Sequence, residues 1–282
     1  MSKIQEALDK IRAGREITAG QKLSPATVSS RALKPNAGAT LPSEVAGGAA
    51  EITLMEEQGY RSQTELVALR TISATMPDSR VLNAVRELRT SVFQRLEEGK
   101  RIVMVTSTSR RAGSTFVARN LAAAIALDEG KTALIVDCNL KDPSVSRLAL
   151  GESRPGLREF LKNPDISAEN IIHRTGIARL RIIPAGNDME EVREFFTSVR
   201  LRQLMEELER RYPERYIIVD APPISLAADA RILADVCDHV LLVVPFGKAT
   251  TTHIIQSAKA IGKEKFLGLI FNNKPGMPRM WW

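Results

Sequence analysis

The chain has 282 residues, 44% of them hydrophobic, which is long enough for one large α/β domain with extensions. Its formal net charge of +7 permits anionic partners such as phosphate, anionic lipid or nucleic acid, although a generally basic surface explains the charge more simply. Two cysteines, Cys138 and Cys237, cannot build a disulfide framework and suit buried thiols in the cytosol, and the lack of any run of about 18 apolar residues argues against a membrane span.

A short amphipathic helix is predicted at the start of the chain, over residues 1–15. Ser2 and Gln5 fit a capping box, and one helical face carries the apolar residues Ile4, Leu8 and Ile11. The segment is charged throughout and lacks the apolar middle of a signal peptide. A helix this short needs a partner surface to persist, so we expect it to dock on another protein.

Residues 16–78 are predicted to link this helix to a folded domain. Up to residue 51 the sequence is rich in Ala, Gly, Ser, Thr and Pro, a composition that cannot bury enough apolar area to fold and predicts a flexible tether. Residues 52–78 are transitional, because the runs ITLMEEQGY and TELVALRTI are candidates for ordered structure. A compact domain is predicted over residues 79–273, followed by a C-terminal tail, residues 274–282.

Within the domain, apolar strands alternate with amphipathic helices. Strands are predicted at Arg101–Thr106, Thr132–Asp137, Leu180–Pro184, Tyr216–Asp220, His239–Pro245 and Phe266–Phe271. Helices are predicted at Arg80–Glu98, Thr115–Glu129, Leu157–Lys162, Arg200–Arg211, Ala228–Ala234 and Thr251–Gly262. Strands that are apolar throughout indicate burial on both faces, so the pattern predicts an α/β fold with a mostly parallel sheet sandwiched between helices.

The first polar motif follows the first strand, where parallel sheets bind their ligands. Val103–Ala118 reads VMVTSTSRRAGSTFVA, and the P-loop pattern is G-x-x-x-x-G-K-[ST]. Gly113 and Thr115 match the last glycine and the hydroxyl residue. Ser114 takes the lysine position, and Thr108 takes that of the first glycine. The loop is therefore a P-loop without its lysine.

Two aspartates end later strands. Asp137 lies in ALIVDCNLKDP and Asp220 in YIIVDAPP. An aspartate that follows a buried strand near a P-loop commonly binds Mg²⁺, and Thr115 is a third candidate ligand. The alternative is that each aspartate only caps the turn that follows it. The motifs point to ATP with Mg²⁺ as cofactors, and the candidate nucleotide-binding residues are Arg110, Arg111, Gly113, Ser114 and Thr115.

These motifs, in this order, resemble those of the bacterial tyrosine kinases of capsule and exopolysaccharide synthesis, which are P-loop proteins related to the MinD/ParA ATPases. RAGSTFVARNLA aligns with the family's GEGKST loop and the Asn-Leu-Ala segment after it, and DCNLKDP aligns with its DADLRRP motif. The DxPP motif is present as Asp220-Ala221-Pro222-Pro223, and RELRT and IPAG match as well. The resemblance covers about residues 79–273.

Two departures from the family bear on catalysis. Ser114 removes the cation that would contact the β- and γ-phosphates, and Asn139 replaces the second aspartate of the DADLRRP motif. Arg110 and Arg111 are the candidate substitutes for the missing charge, although the arginine fork has a different geometry from that of lysine. The resemblance thus implies weak or absent binding of ATP and Mg²⁺. If the protein is active, Asp137 and Asp220 are its catalytic candidates.

The tail departs from the family too. The resemblance implies a tyrosine-rich tail that serves as autophosphorylation substrate, yet the tail here reads KPGMPRMWW, and the chain has only Tyr60, Tyr212 and Tyr216. Trp281 and Trp282 beside Arg279 suit a membrane interface, but without an amphipathic helix around them docking on a protein or disorder is favoured.

The helix before the first strand carries the family's oligomer signature in altered form. The resemblance implies an ExxRxxR spacing that builds a ring-shaped oligomer, and Asn83, Arg86 and Arg89 occupy that spacing here. The two arginines share one helical face, so a homo-oligomer would lack its acidic partner residue and be weakened or altered. A solvated basic face is the alternative.

The sequence therefore predicts a degenerate tyrosine-kinase-like protein that supports capsule or exopolysaccharide biosynthesis or export without phosphoryl transfer. The resemblance implies a membrane polysaccharide co-polymerase (Wzz-like) as partner, no nucleic acid, and a cytoplasmic location at the inner face of the cell membrane through that partner. One alternative is an active ATP-dependent tyrosine autokinase that uses Arg110 or Arg111 for charge. A second is a MinD/ParA-type positioning ATPase, against which DxPP and IPAG argue.

Deleting residues 1–20 is expected to leave the melting temperature of the folded domain nearly unchanged, because the helix would find its contacts on a partner. The deletion should weaken co-purification with the membrane partner. Thermal unfolding and pull-downs of the full-length and shortened proteins measure the two effects. A melting temperature several degrees lower, with partner binding intact, would show that the helix packs on its own domain.

Overall fold

The computed structural model describes residues 59–76, 79–151, 155–187, 196 and 199–273. The strands are β1 (Ile102–Ser107), β2 (Thr132–Asp137), β3 (His173–Arg174), β4 (Leu180–Ile183), β5 (Arg215–Asp220), β6 (His239–Pro245) and β7 (Phe266–Asn272). The α-helices are α1 (Gln63–Ala68), α2 (Ser79–Phe93), α3 (Ser114–Ala126), α4 (Leu157–Lys162), α5 (Ala168–Ile171), α6 (Val199–Arg211), α7 (Ala228–Asp235) and α8 (Thr251–Ile261). The predicted N-terminal helix and C-terminal tail lie outside the described residues.

The strands form one seven-stranded sheet in the order β3-β4-β2-β5-β1-β6-β7. Every neighbouring pair is parallel except β3 and β4, which are antiparallel. The predicted α/β class with a mostly parallel sheet is confirmed, and β2 and β6 have the predicted bounds. Strand β3 was not predicted, because two residues are too few to show a period.

The sheet is covered on both faces, and alternate residues of each strand enter two separate cores. Met104 belongs to the core that contains the buried sides of helices α4 to α8, whereas its neighbours Val103 and Val105 belong to the core with α2 and α3. Strands buried on both sides carry no alternation of polar residues, which is why their sequences are apolar throughout. No helix in the described part of the chain has the length and apolarity needed to cross a membrane.

Helix ends were predicted less accurately than strand positions. The helix predicted at Arg80–Glu98 ends at Phe93, and the chain then continues in turns that reach Gly99 with a positive φ of 80°. The exposed glutamates before Gly99 are good helix formers, so the sequence alone extends the helix too far. Helix α3 begins one residue before the predicted start, at Ser114, and ends at Ala126 instead of Glu129.

Residues 59–76, which the sequence places in the transitional segment, pack on the domain. The Arg61 guanidinium donates to the Thr175 carbonyl at 2.8 Å and to the Leu148 carbonyl at 3.2 Å. Ser62 and Glu65 form a capping box that starts α1. Ile72 is only 2% exposed, so its apolar side chain ties the segment to the core of α2 and α3. The packed unit therefore includes residues before 79.

Asn120 of α3 joins this segment to the domain. Its Oδ1 accepts a hydrogen bond from the Ile72 backbone N–H at 2.8 Å, and its Nδ2 donates to the carbonyls of Arg70 at 3.0 Å and Phe116 at 2.8 Å. The side chain is 1% exposed, so these groups have no access to water as a replacement. The Asn-Leu-Ala sequence thus has a structural role here.

Replacing Asn120 by alanine should lower the free energy of unfolding by about 1–3 kcal/mol, because it leaves a buried N–H and a buried carbonyl unpaired. Denaturant unfolding measures the loss, and limited proteolysis should cut residues 59–76 faster. Asn83→Ala, at an exposed position of α2, is the matched control and should cost nothing. An unchanged proteolysis pattern in the Asn120 variant would contradict the proposed attachment.

Candidate functional site

The loop between β1 and α3 is held by neighbouring strand ends. The Thr108 N–H donates to the Val243 carbonyl at 3.1 Å, and the Thr108 carbonyl accepts from the Ser225 hydroxyl at 2.7 Å. On the other side, Asn272 Nδ2 donates to the Ala112 carbonyl at 2.9 Å. Residues of β6, of β7 and of the segment after β5 therefore fix the loop. Asn272, at the end of β7, is an anchor that the sequence analysis missed.

Two loop residues require left-handed backbone. Gly113, which caps the start of α3, has a φ of 91°, and a Cβ at this position would lie 2.1 Å from Asn272 Nδ2, so only glycine fits. Arg111 has a φ of 59°, an unfavourable conformation for a side chain of this size, at the position where the GEGKST loop has its first glycine. Thr108 does not have a positive φ, so the first turn does not demand glycine.

The loop side chains differ in exposure. Arg110 and Arg111 are exposed, whereas Ser114 and Thr115 are half-buried at the start of α3. The backbone N–H groups at the N-terminus of a helix favour an anion, so the loop keeps a general phosphate-binding geometry. The residue in the lysine position is a neutral hydroxyl, and the loop's two cations lie in its solvent-exposed part. This arrangement provides little fixed charge for a nucleotide's terminal phosphates.

Asp137 and Asp220 lie side by side. They end the adjacent parallel strands β2 and β5, where their Cα atoms are register partners, and both residues are fully buried. Their surroundings differ. Asp137 accepts hydrogen bonds from the Ser146 backbone N–H at 3.0 Å, the Ser146 hydroxyl at 2.9 Å and the Asn139 N–H at 3.3 Å. Burial raises the Asp137 pKa to about 6, against the lowering by these donors.

Asp220 has no comparable set of donors. Neither of its carboxylate oxygens has a hydrogen-bond partner of normal geometry. Burial, and then the charge of Asp137, raise its pKa well above the usual range, while the nearby Thr115 hydroxyl and Arg119 lower it. Two orphaned carboxylate oxygens beside a hydroxyl suit the oxygen ligands that Mg²⁺ requires. The metal part of the predicted site therefore fits Asp220 and Thr115, and Asp137 is already engaged as a turn cap.

Arg119 is a site residue that sequence reasoning missed. It lies on α3 four residues after Thr115, is 8% exposed, and its Nε has no hydrogen-bond partner. Burial lowers the pKa of Arg119 to about 10. The negative charge of Asp220 raises this pKa, whereas the positive charges of Arg70 and Arg147 lower it further. The signal was available in the sequence, because Arg119 interrupts the apolar run FVARNLAAAIA. A fixed positive charge thus lies near the carboxylate that a metal would bind.

The predicted oligomer arginines have different surroundings. Arg86 is exposed on α2, with its backbone carbonyl bonded to Thr90, whereas Arg89 is half-buried and donates through Nη1 to the Ala124 carbonyl at 3.0 Å. Arg89 therefore helps to satisfy the end of α3 within its own domain. Their role in an oligomer stays a prediction.

The mostly parallel sheet and the loop after β1 define the α/β architecture of a P-loop protein. The septum site-determining protein MinD from Pyrococcus horikoshii, solved with Mg-ADP, superposes with a TM-score of 0.52 at 22% identity over 64% of this chain and 73% of that chain, which shows the fold alone. The kinase domain of the Escherichia coli tyrosine kinase ETK superposes with a TM-score of 0.64 at 28% identity, over 77% of this chain and 83% of that chain.

Relatives found by sequence indicate which kind of P-loop protein this chain resembles. Tyrosine-protein kinase YwqD from Bacillus subtilis is 29% identical over 226 residues, which are 79% of this chain and 92% of YwqD. Tyrosine-protein kinase etk from Escherichia coli K12 is 31% identical over 186 residues, 66% of this chain. The chain spans 25% of the length of etk and 27% of EpsB from Ralstonia solanacearum. No family model matches the chain. The sequence relatives of this chain are bacterial tyrosine-protein kinases, and its structural neighbours include their kinase domains.

Asp220→Asn should raise the melting temperature at pH 8 in the presence of EDTA. Burial raises the folded-state pKa of Asp220 above its unfolded value, so the wild type loses stability as pH rises, whereas asparagine does not titrate. The gain should be about 3 °C or more, since about 1 kcal/mol shifts a domain of this size by roughly 2–4 °C.

The gain should shrink as the pH is lowered toward 5, because a raised folded-state pKa costs the wild type less stability at lower pH. Asp235→Asn, at an exposed position, is the matched control and should change neither value. Differential scanning calorimetry at both pH values measures the effect. A destabilised Asp220 variant at pH 8 would mean that the carboxylate is compensated in the folded protein.

Proposed function

We propose that the protein supports the biosynthesis or export of a capsular or extracellular polysaccharide through binding and conformation, without phosphoryl transfer. The observation that carries the proposal is Ser114, which starts α3 at the lysine position of the phosphate loop. The resemblance to bacterial tyrosine kinases supports the pathway, and the site chemistry supports the loss of transfer.

The missing lysine weakens both binding and catalysis. A charge-assisted hydrogen bond to phosphate contributes roughly 1.5–3 kcal/mol, or about 10- to 100-fold in affinity. Its effect on transfer is larger, because charge stabilisation is most of what an enzyme supplies to a moving phosphoryl group. Arg110 and Arg111 are exposed and Arg111 is held in left-handed backbone, so neither is preorganised to replace it.

The metal site is only partly degraded. Asp220 and Thr115 would hold Mg²⁺, which neutralises phosphate charge when bound, but Arg119 already supplies positive charge near the same carboxylate. Asn139 offers no carboxylate where the family motif has one. We therefore infer that Mg²⁺ and ATP bind weakly or not at all, and that the internal arginine maintains the site in the absence of a nucleotide.

The proposed partner is a membrane polysaccharide co-polymerase of the Wzz-like class, and the proposed location is cytoplasmic, at the inner face of the membrane through that partner. Two observations support this partner. The chain resembles bacterial tyrosine kinases, and it matches only about a quarter of the length of two of them. On this proposal the N-terminal extension and the domain bind the partner together, with no role for nucleic acid.

An active tyrosine autokinase is the second candidate, because one observation favours it. The orphaned Asp220 oxygens next to Thr115 are what an unused metal site retains. In that case Asp137 and Asp220 would be the catalytic carboxylates, Arg110 or Arg111 would supply the charge, and a tyrosine such as Tyr60, which is 67% exposed, would be the substrate. A MinD/ParA-type positioning ATPase shares the fold but finds no further support in the site.

Isothermal titration with ATP and Mg²⁺ tests the proposal. The wild type should bind weakly or not detectably, and Ser114→Lys should raise the affinity roughly tenfold or more, because it restores the charge-assisted contact. Ser109→Lys adds the same charge elsewhere in the loop and is the matched control, with little change expected. Thr108→Gly, which would restore the first glycine of the P-loop pattern, should add little, since Thr108 lacks a positive φ.

Submicromolar ATP affinity of the wild type would overturn the proposal, as would phosphotyrosine formed by the purified protein with ATP. If Ser114→Lys leaves the affinity flat, the loss of the lysine does not explain weak binding, and Arg119 becomes the residue to replace next.

A further inference from the structure

Two phenylalanines form an exposed ring pair beside the phosphate loop. Phe246 follows β6 and Phe271 lies in β7, and they are 42% and 46% exposed. Their ring centroids are 6.2 Å apart with an interplanar angle of 79°, an edge-to-face contact. We call these two side chains the aromatic patch. An aromatic pair left in water is unfavourable, and exposed patches of this kind mark interaction sites.

The backbone holds the patch rigidly. The Phe246 N–H donates to the Asn272 carbonyl at 2.7 Å, and Val244 is the register partner of Phe271. Because the patch is built on the ends of two paired strands, its shape does not depend on a flexible loop. The other exposed large apolar side chains of the described residues are Tyr60, Val67, Val199 and Leu226.

The chain itself supplies a fitting occupant. Residues 274–282 begin only three positions after Phe271, and they contain Met280, Trp281 and Trp282. Asn273 has a φ of 64°, which turns the chain where it leaves β7, and Pro275-Gly276 is a strong turn signal. A segment of this length extends up to roughly 30 Å, more than a return to the patch requires. Its short length gives an effective concentration on the order of millimolar.

We propose that Trp281 and Trp282 fold back and dock on the aromatic patch of the same chain. Indole and phenyl rings pack edge to face with favourable energy, and the flexible Met280 fills the gaps between rings. Asn272 lies between the patch and the phosphate loop, where it donates to the Ala112 carbonyl. The docked segment therefore lies at the side of the loop. This inference goes beyond the proposed function and does not depend on it.

Tryptophan fluorescence tests the proposal, because Trp281 and Trp282 are the only tryptophans in the chain. The emission of the full chain should be blue-shifted, and less quenched by acrylamide, than that of a synthetic peptide of residues 272–282. Phe246→Ala with Phe271→Ala should move both values to those of the peptide. Val199→Ala, at a position 70% exposed, is the control and should leave them unchanged.

A cross-link keeps the test decisive if the double alanine variant fails to fold. Phe246→Cys with Trp282→Cys should form a disulfide in oxidised glutathione, within a monomer, while Val199→Cys with Trp282→Cys should not. Cys138 and Cys237 are buried and do not compete. Circular dichroism establishes which variants are folded.

Three outcomes would overturn the inference. Wild-type emission equal to that of the peptide would mean that the tryptophans stay in water. A blue shift that appears only at concentrations where sedimentation shows dimers would assign the patch to a second copy. A blue shift that requires vesicles of anionic lipid would assign the tryptophans to a membrane surface. None of these measurements uses a nucleotide, so their failure is separate from failure of the proposed function.

Discussion

The site depends on one electrostatic constraint, the juxtaposition of two buried carboxylates at the ends of adjacent parallel strands. The register of β2 and β5 fixes Asp137 opposite Asp220, and no side-chain motion can move them far apart. Two such groups cannot both carry an unbalanced charge in a low-dielectric interior. The two carboxylates have different partners in the folded protein. Asp137 is satisfied by donors of the following turn, while Asp220 depends on Arg119, Thr115 or a proton.

This constraint explains how the chain tolerates its departures from the family. Here the lysine position is neutral, and a buried arginine lies on the helix side of the same pair. On the function proposed above, this fixed arginine takes the place of an exchangeable cation beside Asp220.

The sequence was sufficient to predict the strands and helices that have a simple hydrophobic pattern. Strands such as TALIVD and HVLLVVP are apolar throughout because both faces of the sheet are covered. The carboxyl ends of TALIVD and YIIVD predicted that Asp137 and Asp220 lie at the same edge of the sheet. Contacts between residues that are distant in the chain could not be predicted from local sequence patterns. Strand β3 exists only because His173 and Arg174 pair with β4, and residues 59–76 are ordered only because Asn120 and Arg61 meet partners distant in the chain. The sequence showed Arg119 as a charged residue that interrupts an apolar run. It did not show that Asp220 lies near this arginine.

The attachment through Asn120 has a mechanical consequence. Residues 1–58 join the domain at a segment held first by Arg61 and then, ten residues further on, by hydrogen bonds to the middle of α3. A pulling force applied through the N-terminal extension would load these bonds one after the other before it reached the sheet. Helix α3 begins at the phosphate loop. Tension on the N-terminal extension would therefore act on the same helix whose first turn forms part of that loop.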